Sequence, residues 1–78
     1  MDRLADVVKE VFPTLDRSTV APSLRLGDIP NWDSMSAVNL LMLTEAAFKV
    51  TLRGIHLDDG LTIGEFADMI RARGAQID

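Results

Sequence analysis

Cysteine is absent from the chain. That absence excludes disulfide staples, thiolate metal sites and thiol nucleophiles together, and it agrees with a reducing compartment. Proline and glycine are sparse, three and five among 78 residues, and scattered. This composition excludes a collagen-like chain and argues against disorder. Basic residues are few: eight Lys+Arg face twelve Asp+Glu, for a net charge of −4 and a pI near 4.7. An acidic chain without a basic tract is poorly suited to nucleic acid, where cation contacts to phosphate dominate affinity. No window approaches the roughly eighteen uninterrupted apolar residues of a membrane span. The opening Met1-Asp2-Arg3-Leu4-Ala5-Asp6 lacks the basic-then-apolar pattern of a signal peptide. The expectation is a cytoplasmic, monomeric protein with no membrane insertion.

Hydrophobic residues make up 47% of the chain and charged residues 26%, ordinary values for a globular protein. A length of 78 residues implies a single domain over 1–78. A domain this short buries only about 60% of its unfolded surface. A water-excluding catalytic cleft of roughly 300–1,000 Å³ would take much of that core. Size therefore favours a binding or carrier module over a stand-alone enzyme.

Leu4, Val7, Val8, Val11 and Phe12 recur at the spacing of one buried helical face. Asp2 is placed to cap this helix, and Pro13 disfavours helical backbone at Phe12, so it should stop there. Residues 13–32 carry Pro13, Pro22, Gly27 and Pro30 with little periodicity, a long loop by the standards of compact domains. Val20, Leu24, Leu26, Ile29 and Trp32 are the residues to pin it. A second helix is expected from Ser34 to Phe48 or Lys49, with Asp33 as N-cap. At 100° per residue, Ala37, Leu40, Leu41, Thr44, Ala47 and Phe48 form one broad face. Met35, Val38, Met42 and Ala46 form a second, roughly opposite. One face meets the core, which leaves the other covered by a further helix or exposed as an interaction patch.

Residues 53–60 read as at most one short helical turn. Thr62 and Glu65 form a T-x-x-E capping box for the last helix, with Leu61 placed to staple onto Phe66. Phe66, Met69 and Ile70 supply its buried face. Arg71 and Arg73 suit the negative end of the dipole, and Gly74 suits the C′ position. Val50-Thr51-Leu52 is too short and isolated to begin a sheet. The fold class is all-α, three main helices with a fourth short one.

The most informative stretch is Ile29-Pro30-Asn31-Trp32-Asp33-Ser34-Met35-Ser36, followed by Val38, Leu40, Leu41, Glu45 and Phe48. It resembles the acyl and peptidyl carrier protein family, in which an Asp-Ser-Leu or Asp-Ser-Met triplet opens the second helix. Trp32 before the triplet is similar to the Trp-Asp-Ser-Leu form of many stand-alone carriers. Glu45-Ala46-Ala47-Phe48-Lys49-Val50 resembles the stretch that closes the family's second helix, and Leu61-Thr62-Ile63-Gly64-Glu65 the opening of its last. The resemblance covers nearly the whole chain, residues 13–28 being the least specific part. It implies a four-helix carrier bundle that catalyses nothing itself. A 4′-phosphopantetheine arm from coenzyme A would be attached to Ser34 by a phosphopantetheinyl transferase. Acyl-activating and acyl-transferring enzymes would then load and unload an acyl or aminoacyl thioester. Asp33 would help the transferase recognise the site, and Met35, Val38, Met42 and Glu45 would meet the partners.

The residues themselves support Ser34 independently. A hydroxyl on the first residue of a helix points away from the core. An anion on that oxygen would sit beside unpaired N–H groups at the positive end of the dipole. The bland alternative is that Ser34 is simply a good N-terminal residue beside its cap. One departure from the family bears on function. Fatty-acid synthase carriers usually bear several acids along the second helix, whereas this stretch has Ser36, Asn39, Thr44, Ala46 and Ala47, with only Asp33 and Glu45 as acids. Weaker steering and more apolar docking follow, which suits a specialised lipid, polyketide or related biosynthetic pathway. Two other readings stay open: a small helical adaptor without a prosthetic group, and a hydrolase using Ser34. For the latter, the spacing of His56 and Asp58 from Ser34 offers no support. Asp58-Asp59 lacks the ordered oxygens of a calcium loop.

Overall fold

The computed structural model describes residues 2–75, Asp2 by its backbone alone. Among the described residues three α-helices follow one another: α1 over Asp2–Val11, α2 over Ser34–Phe48 and α3 over Ile63–Ala72. Leu4, Val7 and Val8 of α1 are buried, joined by Ala5 and by Phe12 just beyond the helix, while Val11 lies only partly covered. The helix stops where Pro13 predicts. The cap expected from Asp2 involves a side chain outside the described residues.

α2 begins at Ser34 because the Asp33 side chain accepts the Ser36 N–H, which satisfies one donor of the open first turn. It ends at Phe48 with Lys49 in the left-handed region (φ 55°), and the Val50 N–H returns to the Glu45 carbonyl at 3.3 Å. α3 opens with both halves of the Thr62–Glu65 capping box in place. It closes with Gly74 at φ 100°. The Gly74 N–H there reaches the Arg71 carbonyl and the Ala75 N–H the Ile70 carbonyl, the reciprocal pair of a Schellman ending. Ile63, Phe66, Ala67 and Ile70 form its buried face. Met69, expected among them, is only half-buried.

The long first loop contains two single-turn 3₁₀ segments, Arg17–Thr19 and Leu26–Asp28. Leu26 and Ile29 are buried, and Val20, Leu24 and Trp32 pack partly buried against the core. Its second half runs antiparallel to the approach to α3. Leu26 donates to the Leu61 carbonyl at 2.8 Å, Gly27 to Asp59 at 2.9 Å, Ile63 to Leu24 at 2.8 Å and Gly64 to Pro22 at 2.9 Å. Among the described residues one isolated bridge, Arg25 with Thr62, results, so the pairing pins a loop without building a sheet.

The fourth short helix is not formed. Residues 50–60 turn at Gly54, whose φ is 85°, and again at Asp59-Gly60. Side chains from α2 and from the cap of α3 serve the backbone that a helix would have paired. The Glu45 carboxylate accepts the Leu52 N–H at 2.8 Å. The Arg73 guanidinium donates to the Thr51 carbonyl at 3.2 Å and the Arg53 carbonyl at 3.4 Å. Leu52 and Leu57 are buried beneath this strap. Among the described residues no helix is long and apolar enough to cross a membrane.

Candidate functional site

Ser34 is the first residue of α2 and is exposed. Asp33 before it is extended, and its Oδ1 accepts the Ser36 N–H at 2.8 Å. That backbone bond, with the Ser36 side chain and then the Met35 N–H adding to it, holds the Asp33 carboxyl below its ordinary value of 3.8, against a small opposing effect of burial. Asp33 is therefore a carboxylate at neutral pH. The placement of the helix start depends on what precedes it. Asn31 takes the left-handed conformation (φ 69°), and the Trp32 N–H closes a turn onto the Ile29 carbonyl at 3.1 Å. The Trp32 ring then lies 5.9 Å from that of Phe12.

A groove of about 780 Å³ opens beside Ser34. Ala37, Val38 and Leu41 of α2 form one wall, Ile55 and Leu57 of the strap the other, and Trp32 and Asp33 lie at the Ser34 end. His56, Asp58 and Asp59 complete the strap side. His56 Nε2 stands 3.1 Å from Asp58 Oδ1, both side chains largely in solvent. The Trp32 Nε1–H donates to Asp59 Oδ1 at 3.1 Å. The groove thus has an apolar interior and a polar, mostly acidic edge.

Of the two apolar faces of α2, the one bearing Leu40, Thr44 and Phe48 is buried. Met35, Val38 and Met42 are 75%, 54% and 61% exposed, a stripe running down the helix from the residue after Ser34. Among the described residues these are the large hydrophobics left exposed. Val38 belongs both to this stripe and to the groove, so the two surfaces are continuous.

No family model, curated protein or solved structure matches this chain.

Ser34, Asp33, Met35, Val38 and Met42 occupy one end and one side of α2. Glu45 follows Val38 by seven residues, about two turns further along the same side of α2. It is half-buried near the C-terminus of the helix, with one carboxylate oxygen committed to the Leu52 N–H. Folding brings Ser34, His56 and Asp58 to a single groove, which their spacing along the chain does not reveal. Among the described residues no hydrogen bond joins the Ser34 hydroxyl to His56, and none of their His, Asp or Glu residues group in threes around a metal position. Sequence reasoning missed Asp59 as the partner of Trp32. They stand 27 positions apart, and no local signal marks the pair.

Proposed function

We propose that this chain is a carrier protein, holding an acyl or aminoacyl group as a thioester on a 4′-phosphopantetheine arm attached at Ser34. The observation that carries this reading is an exposed serine hydroxyl at the start of a capped helix, at the end of an apolar-walled groove. Three features fit the group. The hydroxyl is open to a transferase, the N-terminal end of α2 favours an anion on that oxygen, and the groove offers apolar surface to a chain extending from it. One feature opposes it: the Asp33 carboxylate already occupies the Ser36 N–H, so a phosphodiester shares the helix end with a like charge. Exposure to water softens that repulsion.

Attachment is a displacement at phosphorus. The Ser34 Oγ forms a new O–P bond at the pyrophosphate of coenzyme A, the existing P–O bond of that bridge breaks, and the adenosine bisphosphate departs. The serine proton passes to a base on the transferase. When bound, the arm supplies the thiol on which cargo rides, and thioester chemistry belongs to it and to visiting enzymes. The chain orients: Asp33 fixes the helix start, and the Met35, Val38 and Met42 stripe offers partners an apolar, polarizable surface that adapts to several shapes. With few acids along α2, docking rests more on this stripe than on steering. These properties suit a specialised cytoplasmic pathway for lipids, polyketides or related compounds, with a phosphopantetheinyl transferase and acyl-activating and acyl-transferring enzymes as partners of a monomeric carrier.

The test is the intact mass of the protein before and after incubation with coenzyme A and a broad-specificity phosphopantetheinyl transferase, with Ser34→Ala alongside. A gain of one phosphopantetheinyl group, absent from Ser34→Ala, is expected. No gain on a folded helical sample overturns the reading and leaves a helical adaptor that docks through the same stripe. A hydrolase would instead cleave an activated ester without any partner and lose that turnover in Ser34→Ala.

A further inference from the structure

We propose that Asp59 is a positioning residue for Ser34, acting through the Trp32 indole; the inference rests on the carrier reading above. Trp32 stands two residues before Ser34 and holds the loop end from which α2 starts. Its ring is fixed on one side by Phe12 and at its nitrogen by the Asp59 carboxylate. Asp59 is itself anchored. Its backbone carbonyl accepts the Gly27 N–H at 2.9 Å, and the approach is so close that a Cβ on Gly27 would lie 2.7 Å from the Asp59 Cβ. Asp59 therefore joins both ends of the segment 27–32 to the strap that forms the far wall of the groove. The Trp32–Asp59 bond sets the distance between Ser34's end of α2 and that wall.

Asp33 does a different job. Its carboxylate orders the first turn of the helix internally, whereas the Trp32–Asp59 bond places that turn relative to the groove. A transferase must bring the Ser34 Oγ into line with a phosphorus atom, and small displacements of a reacting group are costly in rate. The bond lies at the surface, where a single hydrogen bond contributes modestly. A loss of about 3- to 10-fold in kcat/KM is the corresponding scale.

The experiment measures loading by the transferase for the native chain, Asp59→Ala, Asp59→Asn, Trp32→Phe and the Asp59→Ala/Trp32→Phe double variant. Asp59→Ala and Trp32→Phe should each lose about 3- to 10-fold in kcat/KM with helical circular dichroism unchanged. Asp59→Asn, which keeps an oxygen acceptor without the charge, should load near the native rate. The double variant should be no slower than either single one, because both remove the same bond. The chain has one tryptophan, so its indole N–H resonance reads the bond independently of loading, and it should move in Asp59→Ala but little in Asp59→Asn. Should Asp59→Ala fail to fold, Trp32→Phe, which keeps a ring against Phe12, carries the same comparison. Native loading rates in both single variants overturn the inference alone. So does Asp59→Asn loading as slowly as Asp59→Ala, since charge recognised by the transferase would then be the cause. A native chain that takes no group at all overturns the carrier reading and this inference with it.

Discussion

Glu45 and Leu52 are joined across the end of α2, the Glu45 Oε2 accepting the Leu52 N–H at 2.8 Å. They stand seven positions apart, and the bond turns the helix's last acid back onto the chain that leaves it. Leu52 is 3% exposed, so its amide has little access to water if the carboxylate is withdrawn. Glu45→Ala should therefore destabilise the fold by about 1–3 kcal/mol, the cost of orphaning a part-buried donor. Glu45→Gln, which retains an acceptor, should cost less. Urea unfolding followed by circular dichroism measures both, and equal stability of Glu45→Ala and the native chain would falsify this role.

The two faces of α2 should separate cleanly under substitution. Leu40 is fully buried, and Leu40→Ala is expected to cost about 2–5 kcal/mol by cavity formation. Met35→Gln and Met42→Gln lie on the exposed stripe and should leave stability within about 0.5 kcal/mol. If the chain is the carrier proposed above, their effect should fall on transfer of cargo to partner enzymes. Thermal melts beside a partner-transfer assay distinguish the faces.

Gly27 and Gly60 make a matched pair. A Cβ at Gly27 would meet the Asp59 carbonyl at 2.9 Å as well as its side chain, whereas nothing lies within 4 Å of one at Gly60. Gly27→Ala should destabilise by about 1–3 kcal/mol through overpacking. Gly60→Ala should stay within about 0.5 kcal/mol of the native chain. Denaturant midpoints for the two variants test the contrast.

Acid should weaken the start of α2. The Asp33 carboxyl is held below 3.8, chiefly by the Ser36 N–H, and a depressed carboxyl stabilises only while ionised. Its contribution is complete above the unfolded value and disappears as pH falls through the lowered folded value. Asp16, lowered in the same direction chiefly by the Ser18 N–H, adds a second loss of the same sign. As pH falls through and below the ordinary carboxylate value of 3.8, stability should fall with acid, and Asp33→Asn should flatten part of that slope while Asp16 retains the rest. Proton-linked unfolding curves for the two chains decide it; identical slopes would remove Asp33 from the account.

Much of the fold is legible in the sequence because its signals are local. Asp33 before Ser34, the Thr62–Glu65 pair, Pro13 after Phe12 and Gly74 after Ala72 each act within one turn of the backbone they terminate, and such rules travel with the residues. Ser34 as the candidate site follows for the same reason, being defined by its place at a helix start. The strap over residues 50–60 is not legible. Glu45 from α2 and Arg73 from the residue that caps α3 reach it and satisfy its backbone, so no short helix is needed there.

The sequence by itself determined where α2 and α3 begin and end, and that α2 carries two apolar faces, since both depend only on spacing and on neighbours a few residues away. Only the tertiary structure decided which face stays in water, that the Glu45 carboxylate meets Leu52, and that Asp59 meets Trp32. Each of those outcomes depends on residues far apart in the chain sharing one core, and hydrophobic burial, being non-directional, leaves that choice to how the elements pack.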